Sequence, residues 1–357
     1  MLHIPFDIAI DPMERLLLVN FEKDPDSLYV GFEPQVFDDR ANGKGHLVIG
    51  WRKDGRVDVY HEPGVRPDAH KYDIAGKGLA NMLEREMSHA YFEVNDQGVQ
   101  AHYSFSDLQD RTILIRINEK HPRKRKPFGL LAPMGDVAEN PSAMPLVLLQ
   151  DFYFVRKKHS DITVSVNGRP HQADMLPLPI DGTRMTFIRY SAAPLIATFN
   201  PALNGSLPLI SAEEGSSLVR HGQSEIHLEW ANGYPSIRRM VFQNNRYPVE
   251  LRFDQPFPAL TSLGHTAITG GRFSIEAHPT TGRIAGNYSI EKEGDRIKIV
   301  IVPSEGWKPR PDKLSLRFLY TVAKVFKKWP ATYQWTAEIE AAGHGDYTMT
   351  SGWKRVK

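Results

Sequence analysis

Cysteine is absent from the 357 residues of the chain. This absence excludes disulfide bonds, thiolate nucleophiles and thiolate metal sites, and it fits a reducing compartment such as the cytoplasm. Charge of one sign is lacking too, because 44 Lys and Arg stand against 42 Asp and Glu, for a formal net charge of +2. No overall positive field would attract nucleic acid or an anionic membrane, and we expect neither as a partner.

Long apolar runs are also missing. The N-terminal stretch MLHIPFDIAIDPMERLLLVNFEK is broken by Asp7, Asp11, Glu14 and Arg15, so it lacks the uninterrupted apolar segment of a signal peptide. No stretch reaches the length of a transmembrane helix. We therefore expect an unprocessed, soluble, cytoplasmic protein, and the sequence leaves its oligomeric state open.

The common nucleotide and metal motifs do not occur. The sequence has no GxxxxGK[ST] loop, GxGxxG, HExxH, GxSxG or EF-hand loop. The fourteen histidines are scattered, and the pair His89 and His102 on one predicted hairpin is more typical of packing or of a surface than of a metal site. We therefore expect no cofactor and no metal ion.

Alternation with a period of two residues dominates what is present. In AYFEVNDQGVQAHYSFSD, two alternating segments flank the turn residues NDQG, and RTILIRINE adds the next strand. The same pattern returns in GRFSIEAHPTTGRIAGNYSIEKEGDRIKIVIV. Strands joined by tight turns favour antiparallel sheets, since parallel strands need long crossovers. The sequence predicts an all-β fold with two antiparallel barrel or sandwich domains.

The stretch 199–217 is rich in Pro, Gly and Ser and separates two β-rich halves. We place a boundary near residue 205, which gives an N-terminal domain of residues 1–205 and a C-terminal domain of residues 206–357. Two stretches favour short helices. They are DIAGKGLANMLEREMSH (73–89) and DKLSLRFLYTVAKVFKKWP (312–330), and a proline ends the second.

Asp151 heads the aromatic stretch LQDFYFVRKKHS. In a strand, Asp151 and Tyr153 share one face, Phe152 and Phe154 share the other, and we expect only one face to be core. If the Asp151 face lines a pocket, burial would raise the pKa of its carboxyl, as suits a general acid. If the phenylalanine face is the core, Asp151 is a surface or structural residue. Both interpretations stay open.

The strand succession EIHLEWA, SIRRMVFQ, PVELRFD, GRFSIEA, GRIAGNYSIE and RIKIVIV, with a late helix and closing strands, is similar to the two-domain lipocalin-like family of carotenoid hydratases and AttH-type proteins. The resemblance lies in architecture. It implies binding of an apolar or amphipathic small molecule within or between barrels. It also implies a cofactor-independent lyase or isomerase, of the hydratase or cyclase type, that works by acid catalysis.

Such chemistry needs a carboxylic acid, for which Asp151 is the candidate catalytic residue, and aromatic faces that steady a carbocation. The strand patterns supply Tyr153, Tyr190 and Trp230 as ligand-binding candidates, together with Arg189 on the opposite face from Tyr190. The alternative is a non-catalytic β-sandwich module that binds a glycan or a protein. The two hypotheses differ in whether the aromatic side chains enclose a cavity or lie along an open face.

Overall fold

The structure is a computed structural model that describes residues 1–72, 77–133, 139–177, 179–244, 246–311, 313–322, 328–343 and 345–356. For Ser315, Leu319 and Val322 it describes the backbone alone. Within these ranges, no helix combines the length and the apolar character needed to cross a membrane.

Strands dominate both halves of the chain, as the period-two alternation predicts. In the first half they are β1 (Leu2–His3), β2 (Ile8–Asp11), β3 (Arg15–Asn20), β4 (Tyr29–Asp39), β5 (Gly43–Arg52), β6 (Val57–His61), β7 (Leu79–Glu84), β8 (His89–Asn95), β9 (Gly98–Ser106), β10 (Thr112–Glu119), β11 (Phe128–Ala132), β12 (Met144–Arg156), β13 (Ser160–Val166), β14 (Arg169–Pro170) and β15 (Met185–Phe199). A short 3₁₀ helix spans Ala69–Tyr72.

The second half continues with β16 (Asn204–Ser206), β17 (Leu209–Ile210), β18 (Leu218–His221), β19 (Ser224–Ala231), β20 (Tyr234–Phe242), β21 (Val249–Pro258), β22 (Thr266–Glu276), β23 (Arg283–Glu293), β24 (Arg296–Lys308), β25 (Tyr333–Gly343) and β26 (Asp346–Arg355). The helix α1 (Leu314–Val322) lies between β24 and β25, and 3₁₀ helices span Leu260–Ser262 and Pro279–Thr281. The all-β prediction and its late helix are confirmed.

Among the described residues, the strands form three large sheets and one small one. The nine-stranded sheet has the order β11-β12-β15-β3-β4-β5-β6-β7, with β2 also paired to β15. The five-stranded sheet has the order β14-β13-β10-β9-β8, and the ten-stranded sheet runs β16-β26-β25-β24-β23-β22-β21-β20-β19-β18. The small sheet joins β1 to β17. The pairing is antiparallel throughout except between β6 and β7.

The five-stranded sheet packs on one face of the nine-stranded sheet, which we call the sandwich face. The ring of Tyr60 on β6 lies 5.1 Å from that of Phe105 on β9, and His46 Nδ1 lies 3.0 Å from the Tyr103 hydroxyl. Tyr190 on β15 also belongs to the sandwich face. Because side chains alternate along a strand, its neighbour Arg189 lies on the other side of the sheet, which we call the opposite face.

Strand β12 is buried on both faces from Phe152 to Arg156. The expectation that only one of its faces is core was therefore wrong. Phe152 and Phe154 pack on the opposite face, where their ring centroids lie 5.2 Å apart, while Tyr153 pairs with Tyr190 on the sandwich face. A strand with apolar material on both sides loses the simple alternation of a half-solvated sheet.

The helix predicted for residues 73–89 was also wrong. Residues 79–84 form β7, which pairs in parallel with β6, and residues 73–76 lie outside the described residues. Gly78 has a φ of +84°, a left-handed conformation that interrupts a helix. A short apolar run fits either period, so pairing with β6 decides between helix and strand.

The two halves share an apolar junction. The ring of Phe6, near the N-terminus, lies 4.7 Å from the ring of Phe257 in the ten-stranded sheet. The indole N–H of Trp353 on β26 donates to the carbonyls of Phe199 and Asn200 at 3.1 and 3.0 Å. The chain passes from the first two large sheets to the third between Phe199 and Asn204. Independent domains on either side of residue 205 stay a prediction.

Candidate functional site

Three strands, β4, β5 and β15, bring a polar cluster together on the opposite face of the nine-stranded sheet, with β3 between β15 and β4. In the register of β4 with β5, Glu33, Gln35 and Trp51 fall on one face. The register of β3 with its neighbours places Leu18 beside Arg189 and Leu16 beside Gln35, so Arg189 on β15 shares that face. We call this group the Glu33–Arg189 cluster.

Glu33 is a buried carboxyl group held by two neutral donors. Gln35 Nε2 donates to one carboxyl oxygen at 2.9 Å, and Trp51 Nε1 donates to the other at 3.1 Å. Burial raises the pKa of Glu33, against the lowering effects of these two hydrogen bonds and of the positive charge of Arg189. A carboxyl group of this kind retains its proton to higher pH than an exposed glutamic acid does.

Arg189 is the cation of the cluster. Its Nη1 donates to Asn20 Oδ1 at 2.6 Å and to the Phe187 carbonyl at 3.3 Å, and its guanidinium lies 4.3 Å from the centroid of the Phe187 ring. Burial lowers the pKa of Arg189 to about 10, while the negative charges of Glu33 and Glu22 raise it. The guanidinium is still positively charged at neutral pH.

Apolar and aromatic surface borders these polar groups. Leu18, Trp51 and Phe187 each keep intermediate exposure, as Arg189 does, although they lie on a face with a largely buried core. Apolar and aromatic side chains are therefore accessible beside a few converging polar groups. Chemically, the cluster combines a carboxyl group of raised pKa, a cation and an indole N–H beside apolar side chains.

Three of the five predicted site residues lie elsewhere, in a second group near the end of the sandwich. Both carboxyl oxygens of Asp151 accept from Arg125, through Nη1 and, at 2.8 Å, through Nη2. The Tyr153 hydroxyl donates to Asp181 at 2.9 Å, and burial raises its pKa. The Arg125 guanidinium lies 6.0 Å from the centroid of the Tyr190 ring. The structure thus brings Asp151, Tyr153 and Tyr190 into one region.

A buried ion pair underlies this second group. Arg156 Nε donates to Glu119 Oε1 at 2.5 Å, and the guanidinium also donates to the carbonyls of Arg123, at 2.8 Å, and Gln97. Burial raises the pKa of Glu119, against the lowering effect of Arg156. Each pair holds its carboxyl group as an acceptor for a guanidinium, and the Glu119–Arg156 pair joins β10 of the five-stranded sheet to β12 of the nine-stranded sheet.

The other two predicted residues are separated from this group. Arg189 lies on the opposite face, in the Glu33–Arg189 cluster. Trp230 lies on β19 in the ten-stranded sheet, where its indole N–H donates to the Ser216 carbonyl at 2.6 Å. Over the described ranges, no group of three or more His, Asp or Glu side chains could hold a metal ion.

Comparison with protein-family models, with curated proteins and with solved structures gives no match. The functional argument therefore starts from the geometry of the chain itself.

Sequence reasoning missed Glu33, although a signal was present. In YVGFEPQVFDD, Glu33 and Gln35 stand two residues apart inside an otherwise largely apolar run, which is the spacing of one strand face. Pro34 between them argues against a strand at this position, since proline is disfavoured inside sheets. The period-two pair of polar residues in an apolar segment could have indicated an inward-facing polar site.

A third feature lies on the outer face of the five-stranded sheet. An open groove of about 590 Å³ is lined by Arg116, Asn118 and the β13 residues 160–163. On the neighbouring strands of the same sheet, the rings of His89 and His102 stack with centroids 4.0 Å apart. This groove is polar and open rather than enclosed.

Proposed function

We propose that the protein binds an apolar or amphipathic small molecule at the Glu33–Arg189 cluster, and that it is a cofactor-independent enzyme of the hydratase, isomerase or cyclase type. The observation that carries this proposal is Glu33, a buried carboxyl group with a raised pKa and no direct ion pair among the described residues. Acidic groups with a strongly perturbed pKa are candidates for functional residues.

The chemistry begins with proton transfer from the Glu33 carboxyl to one carbon of a ligand double bond. The π electrons form the new C–H bond, and the O–H electrons stay on Glu33 as a carboxylate. The N–H groups of Gln35 and Trp51 and the charge of Arg189 stabilise that carboxylate. The cycle closes when Glu33 takes a proton from an attacking water, as in a hydratase, or from an adjacent carbon, as in an isomerase or cyclase.

Asp151 is less suited to this role than Glu33. Both of its oxygens accept from Arg125, and 29% of its side-chain surface is exposed. A carboxylate in a bidentate pair with a guanidinium is held as an acceptor, whereas catalysis by an acid needs a proton to give. Arg125 Nε also donates to the Asn95 carbonyl at the end of β8, so we assign the Asp151 pair a structural role between the two sheets.

The test is native mass spectrometry of the protein from a cell extract, followed by conversion assays on the class of molecule that is retained. Glu33→Gln keeps the shape and an oxygen acceptor but has no acidic proton, so we expect retention without conversion. Glu340→Gln, a change at a glutamate with 60% side-chain exposure, is the matched control and should behave like the wild type. No retained molecule, and no thermal shift with a panel of lipids and terpenoids, would reject the proposal.

A second candidate function is recognition of a glycan or protein on the outer face of the five-stranded sheet. The open groove beside Arg116 and Asn118 favours it, since polar side chains along a flat sheet suit a hydrophilic partner. Binding on a glycan array that is lost in Arg116→Ala, with the Glu33→Gln variant unaffected, would support this function. An array without any signal would argue against it.

A further inference from the structure

We propose that Arg189 is the receptor for a carboxylate, and that the ligand is an amphipathic carboxylic acid with its acid group on this guanidinium. The inference rests on the proposed function, because it specifies the ligand class of the same site. The apolar body of the ligand would lie along Leu18, Trp51 and Phe187, which border the cluster and keep intermediate exposure.

The free edge of Arg189 is the first observation. Nη1 is occupied by Asn20 and by the Phe187 carbonyl. Nε and Nη2 make no hydrogen bond with any described residue. Unlike Arg52 Nε and Arg85 Nε, they are not fully buried. They therefore keep accessible surface. Together they form one side of the planar guanidinium, and that side matches two carboxylate oxygens.

The unbalanced charge is the second observation. No ion pair joins Arg189 to a carboxylate in the described part of the chain: Glu33 acts on it through space, and Glu22 is linked to it through the Asn20 side chain, which donates to the Glu22 carboxylate at 2.9 Å. Glu33 is itself shifted toward its neutral form by burial. A cation in a poorly solvated position is costly without an anion. A ligand carboxylate would supply the missing charge together with two hydrogen-bond acceptors.

The fixed orientation of the guanidinium is the third observation. The guanidinium lies 4.3 Å from the centroid of the Phe187 ring, and its Nη1 donates to Asn20 at 2.6 Å, so both contacts restrain its orientation. A preorganised fork loses little side-chain entropy when a planar anion binds. A single guanidinium balances one negative charge, so a carboxylate fits better than a phosphomonoester with a charge near two.

The experiment compares three probes of equal chain length: decanoate, decanol and decyl phosphate. Binding to the wild type is measured by isothermal titration calorimetry at neutral pH. We expect decanoate to bind about tenfold or more tightly than decanol, because a charged bidentate contact is lost in the alcohol. In Arg189→Met, the ratio of the two affinities should fall to about one. Arg296→Met, at a side chain with 83% exposure, should keep the wild-type ratio.

Several results would contradict the inference. Equal affinity for decanoate and decanol in the wild type, or a preference that survives in Arg189→Met, overturns the inference. Tighter binding of decyl phosphate than of decanoate overturns the assignment to a carboxylate. If Arg189→Met does not fold, Arg189→Lys keeps the charge but lacks the planar edge, and a wild-type ratio in that variant also counts against the proposal.

The inference and the proposed function can fail separately. If the alcohol and the acid bind equally and Glu33→Gln still abolishes conversion of the retained molecule, the carboxylate receptor is wrong and the proposed function stands. If none of the three probes binds and no molecule is retained from the extract, both are wrong.

Discussion

Replacing Arg156 by Met tests whether the second polar group is a structural link between the two sheets. Arg156 is 2% exposed and Glu119 is 0% exposed, and the Nε–Oε1 distance between them is 2.5 Å. Removing one partner of a buried pair leaves an uncompensated charge, which costs about 3–5 kcal/mol of unfolding free energy. Arg156→Met also leaves the Gln97 and Arg123 carbonyls without this donor.

An exposed pair provides the comparison. Arg296 and Glu340 are joined at 3.1 Å, with side-chain exposures of 83% and 60%. Solvent screens such pairs, so Arg296→Met should cost only about 0–1 kcal/mol. Urea unfolding of both variants, followed by circular dichroism at pH 7, measures the difference as a shift in midpoint.

The pH dependence gives a further check on Arg156→Met. Without Arg156, the pKa of Glu119 should rise further, since burial remains and the lowering contribution is gone. A raised pKa in the folded state means that stability is present at low pH and is lost as the pH rises through that pKa. The deficit relative to the wild type should therefore be smaller at pH 5 than at pH 8. A deficit below about 1 kcal/mol at every pH, equal to that of Arg296→Met, would refute the buried-pair argument.

Three further predictions concern single sites. Glu33→Gln should be more stable than the wild type at pH 8 and should lose that advantage toward pH 4. The reason is that the raised pKa of Glu33 makes its ionisation in the folded state costly. Thermal unfolding of both proteins from pH 4 to pH 8 measures the difference in stability. Gly98→Ala should destabilise the fold by about 1–3 kcal/mol, because a Cβ there would lie 2.5 Å from Glu119 Cγ. The control is Gly352→Ala, whose Cβ would meet nothing within 4 Å. It should leave stability nearly unchanged in the same unfolding assay. Asp151→Asn should cost about 1–3 kcal/mol by weakening its pair with a guanidinium, while ligand retention in native mass spectra stays at the wild-type level; lost retention with unchanged stability would return Asp151 to the binding site.

Part of the second polar group was accessible from the sequence. Asp151 and Tyr153 drew attention because acidic and aromatic residues alternate in a predicted strand, and the structure does place both in a polar region with Tyr190. The sequence could not show Arg125 as the partner of Asp151, since the two residues meet only through the packing of the loop before β11 against β12. With that partner, Asp151 serves as a hydrogen-bond acceptor for a guanidinium and is a weaker candidate for a catalytic acid.

The sequence could not predict the Glu33–Arg189 cluster, because its residues lie on strands that are far apart in the chain. Glu33 and Arg189 are 156 positions apart in the chain, and they come together because β15 returns to pair with β3, which pairs with β4. Pairing order in a sheet depends on long-range contacts that leave no local signal. Arg189 was a candidate by itself, but its acidic neighbour was not.

The sequence by itself determined the all-β character, the antiparallel hairpins and the late helix. These features depend on local alternation, turn residues and a helix-ending proline, which act over a few residues. Only the tertiary structure decided that β12 is buried on both faces, that residues 79–84 pair with β6 as a strand, and that Glu33 meets Arg189. Each of these depends on which surfaces lie against one another, and burial raises the pKa of the Glu33 carboxyl, which no sequence pattern indicates.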